Sequence, residues 1–146
     1  MKALITGASS GIGRDMARYL SQKGYDLVIV ARRQNLLEEL KSELKTNIEI
    51  EVMDVTEKEN VYALFEKHKD IDVLINNAGF GMFGEFVDID IETEINMINT
   101  NIVAVQMLTK LYLQEMVKKD KGYILNVASV AGLLPRWTFN GNILCE

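Results

Sequence analysis

A chain of 146 residues with 48% hydrophobic and 25% charged residues has enough apolar material for one real core, which excludes disorder. Its net charge of −5 is spread among interspersed acids and bases, and no basic cluster exceeds Arg32-Arg33 or Lys118-Lys119, which argues against nucleic acid as the main partner. No charged leader with a cleavage site and no run of about 18 apolar residues occurs, so a cytoplasmic location without membrane insertion is expected. The one cysteine, Cys145, excludes an internal disulfide, and the one histidine, His68, sits between Lys67 and Lys69 with no metal-ligand spacing; both are expected to be structural, and no metal site is expected.

In chain order, Lys2 to Ile5 suits a first buried strand, and Arg14 to Lys23 places Met16, Ala17 and Leu20 on one helical face. Between them, Thr6-Gly7-Ala8-Ser9-Ser10-Gly11-Ile12-Gly13 supplies glycine for the turn, for approach of a pyrophosphate to the helix amides, and for helix packing on the strand. Gly24 stops the helix, and Leu27-Val28-Ile29-Val30 is a continuous apolar run, as a strand covered on both faces requires. Asn35 is expected to cap a helix through Leu36, Leu37, Leu40 and Leu44 to about Lys45, after which Ile48 to Val52 alternates as a third strand.

Asp54-Val55-Thr56 leads into a helix with Val61, Leu64 and Phe65 at helical spacing, from Thr56 to about Lys69. Ile71 to Ile75 is a fourth strand ending in Asn76-Asn77-Ala78-Gly79, followed by the glycine-rich loop Phe80 to Gly84. From about Asn96 to Met116, apolar positions describe one long helix; Asn101 is uphill inside it because its amide competes with the backbone. Ile124 to Val127 is a fifth strand, leading to Ser129. Regular alternation of strand and helix predicts an α/β fold, a Rossmann-type doubly wound parallel sheet of about five strands, with its ligand crevice at the strands' carboxyl ends.

Taken together, Thr6 to Gly13, Asp54-Val55-Thr56, Asn76 to Gly79, Asn101 and Ser129 resemble the short-chain dehydrogenase/reductase family over about residues 1 to 135. The resemblance implies the strand order 3-2-1-4-5 and an oxidoreductase moving a hydride between a nicotinamide cofactor and a small carbonyl or alcohol substrate. It implies that Thr6, Gly7, Ser9, Ser10, Gly11, Ile12 and Gly13 border the cofactor, that Asp54 bonds the adenine amino group with Val55 flanking the ring, and that Asn77, Ala78 and Gly79 border the cofactor further along. Asn101 would locally open its helix and hold a water of the proton relay, and Ser129 would hydrogen-bond the reacting oxygen.

The end of the second strand carries Arg32 and Arg33 where a carboxylate would accept the ribose hydroxyls of NAD. Guanidinium groups there pair with a 2′-phosphate, so NADP is the expected cofactor over NAD. The chain departs from the family after Ser129, since no Tyr-x-x-x-Lys follows. Residues 136–146 are an atypical tail in which a shift of one nucleotide could spell a tyrosine in the register of Ile143, with a lysine just past Glu146. The expectation is therefore a member shortened before the sixth and seventh strands, inactive as it stands or acting as a non-catalytic dinucleotide-binding fragment, with a homo-oligomer for the full-length form.

Overall fold

The computed structural model describes residues 1–129. Five strands, Lys2–Thr6 (β1), Asp26–Ala31 (β2), Ile48–Val52 (β3), Val73–Asn76 (β4) and Tyr123–Asn126 (β5), form one parallel sheet in the order β3-β2-β1-β4-β5. The helices between them are Gly11–Gln22 (α1), Gln34–Glu43 (α2), Lys58–Lys67 (α3), Ile91–Ile98 (α4) and Ala104–Lys119 (α5). The expected strand order is the observed one. The chain winds outward from β1 to β3, then returns to lay β4 on the other side of β1, and that reversal opens the crevice where such sheets bind ligands.

The period-2 geometry of a strand divides the core in two. Leu4, Val28, Val30 and Leu74 point to one face and meet Val61, Leu64 and Phe65 of α3 with Leu108, Tyr112 and Met116 of α5. Ala3, Ile5, Leu27, Ile29 and Ile75 point to the other, against Ala17 of α1 and Leu37 and Leu40 of α2. Strands β1 and β2 are thus apolar on both faces. Edge strand β3 alternates because Glu49 and Glu51 meet the end of α3: Lys2 Nζ lies 2.9 Å from Glu49, while Lys67 Nζ and His68 Nε2 each lie 2.7 Å from Glu51. Burial acts to raise the Glu51 pKa, but hydrogen bonds from Lys67 and His68 outweigh it and hold the carboxyl below its ordinary range. His68 is only 1% exposed, so the histidine that spacing placed outside any site is a core residue.

Three helix boundaries differ from expectation, each for a local reason. Helix α2 begins at Gln34 with Arg33 at its N-cap, so Asn35 falls inside the first turn and does not cap. Helix α3 starts at Lys58 because Thr56 is engaged outside it, donating its N–H and hydroxyl to Asp54 Oδ1 at 2.9 and 2.8 Å. The long helix expected from Asn96 starts earlier, where Thr93 N–H donates to Asp90 Oδ2 at 3.1 Å. It then passes through a π-helical turn, Asn99–Val103, before continuing as α5 to a left-handed Asp120. Strand β5 pairs with β4 alone among the described residues, and Tyr123 and Leu125 are 65% and 45% exposed on it.

Candidate cofactor and active site

At the end of β1 the backbone turns through Gly7 at φ +67°, runs extended at Ser10, and enters α1 through Gly11 at φ +54°. No side chain caps α1 and no acid stands in its first turn, so its leading amides keep donors to offer an anion. Glycine at Gly7 and Gly13 is required by close approach. A Cβ on Gly7 would sit 2.9 Å from Ala78 Cα, and one on Gly13 would collide with Asn77 Nδ2 and the Gly7 carbonyl.

The turn is locked to the end of β4 by reciprocal hydrogen bonds. Asn77 and Ala78 N–H both donate to Thr6 Oγ1 at 3.0 Å, and Asn77 Nδ2 donates to the Thr6 and Gly7 carbonyls at 3.0 and 3.3 Å. Asn76, buried, fixes the next strand: its Nδ2 donates to Asn126 Oδ1 on β5 at 2.8 Å and to Thr109 Oγ1 on α5 at 3.0 Å. The Asn76-Asn77 pair thus joins three strands and a helix.

Beside the turn lies a cleft of about 190 Å³ whose lining includes Gly7, Ser9, Arg32, Arg33, Asp54 and Val55. The two arginines divide its work. Arg33 reaches back over the turn, its Nη2 donating to Ser9 Oγ at 2.8 Å and to Ser10 Oγ at 2.7 Å. Arg32 stands out at 69% side-chain exposure, its Nη1 3.4 Å from Asp54 Oδ2. Burial acts to raise the Asp54 pKa, yet the Thr56 hydrogen bonds and the Arg32 charge hold it below the usual carboxylate range.

A second cleft of about 560 Å³ continues past Ala78, Gly79 and Phe80, which border both. Its wall carries Ile12, Asn101, Asn126 and Ser129. Asn101 lies in the π-helical turn, and that opening lets its amide clasp Phe80 from both sides: Phe80 N–H donates to Oδ1 at 3.1 Å and Nδ2 donates to the Phe80 carbonyl at 2.9 Å. The π-helical turn Asn99–Val103 thus lies where the chain holds Phe80. Ser129 is exposed three residues beyond β5 on this cleft.

The first cleft thus brings together Gly7, Ser9, Arg32, Arg33, Asp54, Val55, Ala78 and Gly79, and the second Ile12, Asn77, Ala78, Gly79, Asn101 and Ser129, while Thr6, Ser10, Gly11 and Gly13 belong to the turn without lining either. Met53, Phe80 and Thr100 also line the first, and nothing in their spacing marked them. The tail at residues 136–146 lies outside the described residues. Among the described residues no helix is long and apolar enough to cross a membrane.

The cradle at Gly7 and Gly13 and the uncapped α1 amides fit a dinucleotide. The family model described as short chain dehydrogenase matches residues 1–140. An NADP-dependent 3-hydroxy acid dehydrogenase of Schizosaccharomyces pombe is 37% identical over 139 residues, covering 88% of this chain and 54% of that protein. An uncharacterized oxidoreductase of Staphylococcus epidermidis is 35% identical over 140 residues, covering 93% and 61%. Among solved structures, a short-chain dehydrogenase from Sphingobium yanoikuyae in complex with NADPH superposes with a TM-score of 0.90 at 32% identity, covering 99% of this chain and 59% of that one. The chain therefore spans 54–61% of the length of these proteins. With the family's fold, its strand order and its glycine turn all present, the chain belongs to the short chain dehydrogenase family.

Proposed function

We propose that this chain carries the dinucleotide-binding part of an oxidoreductase that moves a hydride between NADP(H) and the carbonyl or alcohol group of a small substrate. The observation that carries it is the Arg33 guanidinium spanning Ser9 and Ser10, with Arg32 beside it in the same cleft. The cofactor, when bound, supplies or accepts the hydride. Everything else falls to the chain. Residues 1–135 act as one cofactor-binding domain, with residues 136–146 as a tail. The α1 amides at Gly11, Ile12 and Gly13 hold the pyrophosphate, with Thr6 and Gly7 shaping the turn. Ser9, Ser10, Arg32 and Arg33 hold the 2′-phosphate, Asp54 and Val55 the adenine, and Asn77, Ala78 and Gly79 the nicotinamide ribose. Ser129 donates to the substrate oxygen where negative charge develops, and Asn101 keeps a relay water at the opened turn while fixing Phe80 as a wall. The protein works in the cytoplasm, and its full-length form as a homo-oligomer.

Titration of NADP and NAD into the 146-residue chain tests the cofactor assignment. Arg32→Asp is expected to cost about 1.5–3 kcal/mol of NADP affinity, the range for a lost hydrogen bond to a charged group, while sparing NAD. An unchanged NADP-to-NAD ratio would refute the assignment.

A second function is favoured by one observation: the last tyrosine is Tyr123, so no Tyr-x-x-x-Lys pair follows Ser129. In that case the chain binds the dinucleotide without transferring protons. Purified chain with NADPH and a panel of ketones and aldehydes is expected to show no turnover, because the sequence holds no tyrosine after Tyr123 to pass on the proton. Turnover that Ser129→Ala abolishes would reveal another donor and restore the catalytic role to the chain itself.

A further inference from the structure

Asp54 has two carboxylate oxygens with different duties. Oδ1 already accepts two hydrogen bonds from Thr56, at 2.9 and 2.8 Å, which fix the carboxylate and leave Oδ2 as the oxygen with capacity to read a ligand. Oδ2 faces Arg32 Nη1 at 3.4 Å, and that aspartate is the one partner Arg32 has among the described residues. Both side chains line the same cleft, where Val30, Met53 and Val55 supply an apolar wall of a kind that suits a flat purine. Arg33, by contrast, is held by both serines of the turn and stays in place.

We propose that the Arg32–Asp54 pair couples recognition of the 2′-phosphate to recognition of the base. The inference rests on the NADP reading above and adds to it. Without a 2′-phosphate, Arg32 competes with the exocyclic amine of adenine for Asp54 Oδ2. A phosphate dianion draws Arg32 away because it offers charge-assisted bonds shorter than the 3.4 Å contact. Oδ2 is then free to accept from the amine. The two ends of the adenosine phosphate thus bind with positive cooperativity, so discrimination between purines is sharper for the phosphorylated cofactor than for the plain one. An exposed ion pair is weak, which bounds the coupling to about two- to fivefold.

The test uses four dinucleotides with the 146-residue chain, titrated calorimetrically: NAD, NADP and their hypoxanthine analogues, in which a carbonyl replaces the adenine amine. The expected result is that replacing adenine by hypoxanthine weakens the 2′-phosphorylated cofactor about two- to fivefold more than the plain one. Arg32→Gln is expected to make the two penalties equal, and Asp54→Asn to shrink both. Equal penalties in the unsubstituted chain, with NADP still preferred over NAD, overturn the coupling and leave the cofactor assignment standing. No penalty in either pair shows that Asp54 does not read the base, which also overturns it. Failure of all four to bind removes both together.

Discussion

Gly13→Ala is expected to destabilise the chain by about 2–4 kcal/mol and to abolish cofactor affinity. In an exposed helix the change would help, since alanine is favoured over glycine by roughly 0.5–1 kcal/mol. Here the added methyl collides with the Gly7 carbonyl and Asn77 Nδ2, and neither is the free end of a flexible side chain. Overpacking of that kind costs about 1–3 kcal/mol. Displacing Asn77 also breaks its bonds to the Thr6 and Gly7 carbonyls, each contributing about 0.5–1.5 kcal/mol. Gly11→Ala is the control: Gly11 has φ +54° but open space around it, so only backbone strain of about 1–2 kcal/mol is expected, with Asn77 undisturbed. Urea unfolding of both variants decides. A Gly13→Ala midpoint at or above that of Gly11→Ala would mean that the turn yields, and that the lock between β1 and β4 is looser than its distances indicate.

Arg33→Ala is expected to weaken NADP by about 10- to 100-fold, following the 1.5–3 kcal/mol range of charged hydrogen bonds. It differs from Arg32→Asp in its effect on NAD. Because Arg33 spans Ser9 and Ser10, its loss frees the glycine turn itself, so NAD is expected to weaken about threefold as well, as ordering entropy shifts onto binding. Parallel titrations of the two cofactors measure this. Unchanged NAD affinity would confine Arg33 to the 2′-phosphate and deny it any part in shaping the turn.

Much of the architecture was legible because it follows from local periodicity. The apolar runs of β1 and β2 could only be strands covered on both faces, and the predicted Ile48–Val52 strand is the one observed. The bounds of α2 and α4 were less legible. Asn35 is a good capping residue by type, but the side chain that matters at that entrance belongs to Arg33, whose partners lie 23 and 24 residues away. The first turn of α4, ahead of Asn96, was not legible because Ile91 and Ile95 are exposed, so they do not follow a core-facing stripe. The crevice was half legible. Glycines and asparagines mark backbone geometry and stand out in a sequence, whereas Met53, Phe80 and Thr100 line the clefts only because the topology carries them there. That Asn101 would clasp Phe80 could not be read either, since the contact depends on a π-helical turn with no signature in spacing.

The bond from Asn77 N–H to the Thr6 hydroxyl spans 71 positions, and it sets an order of events during synthesis. Strands β1, β2 and β3 are neighbours made in succession, so three-fifths of the sheet can pair while the rest of the chain is still being polymerised. The flank of β1 that β4 will occupy must wait. At roughly 5–20 residues per second, translation from Thr6 to Asn77 takes about 4–14 s. Throughout that interval the buried central strand offers an unpaired row of amides and carbonyls to any other nascent chain. Slow codons between Lys58 and Asp72 would lengthen this exposure, and a chaperone that binds extended apolar segments would have its best opportunity then. The central strand, first to be made, is enclosed on both sides only after β2 has been.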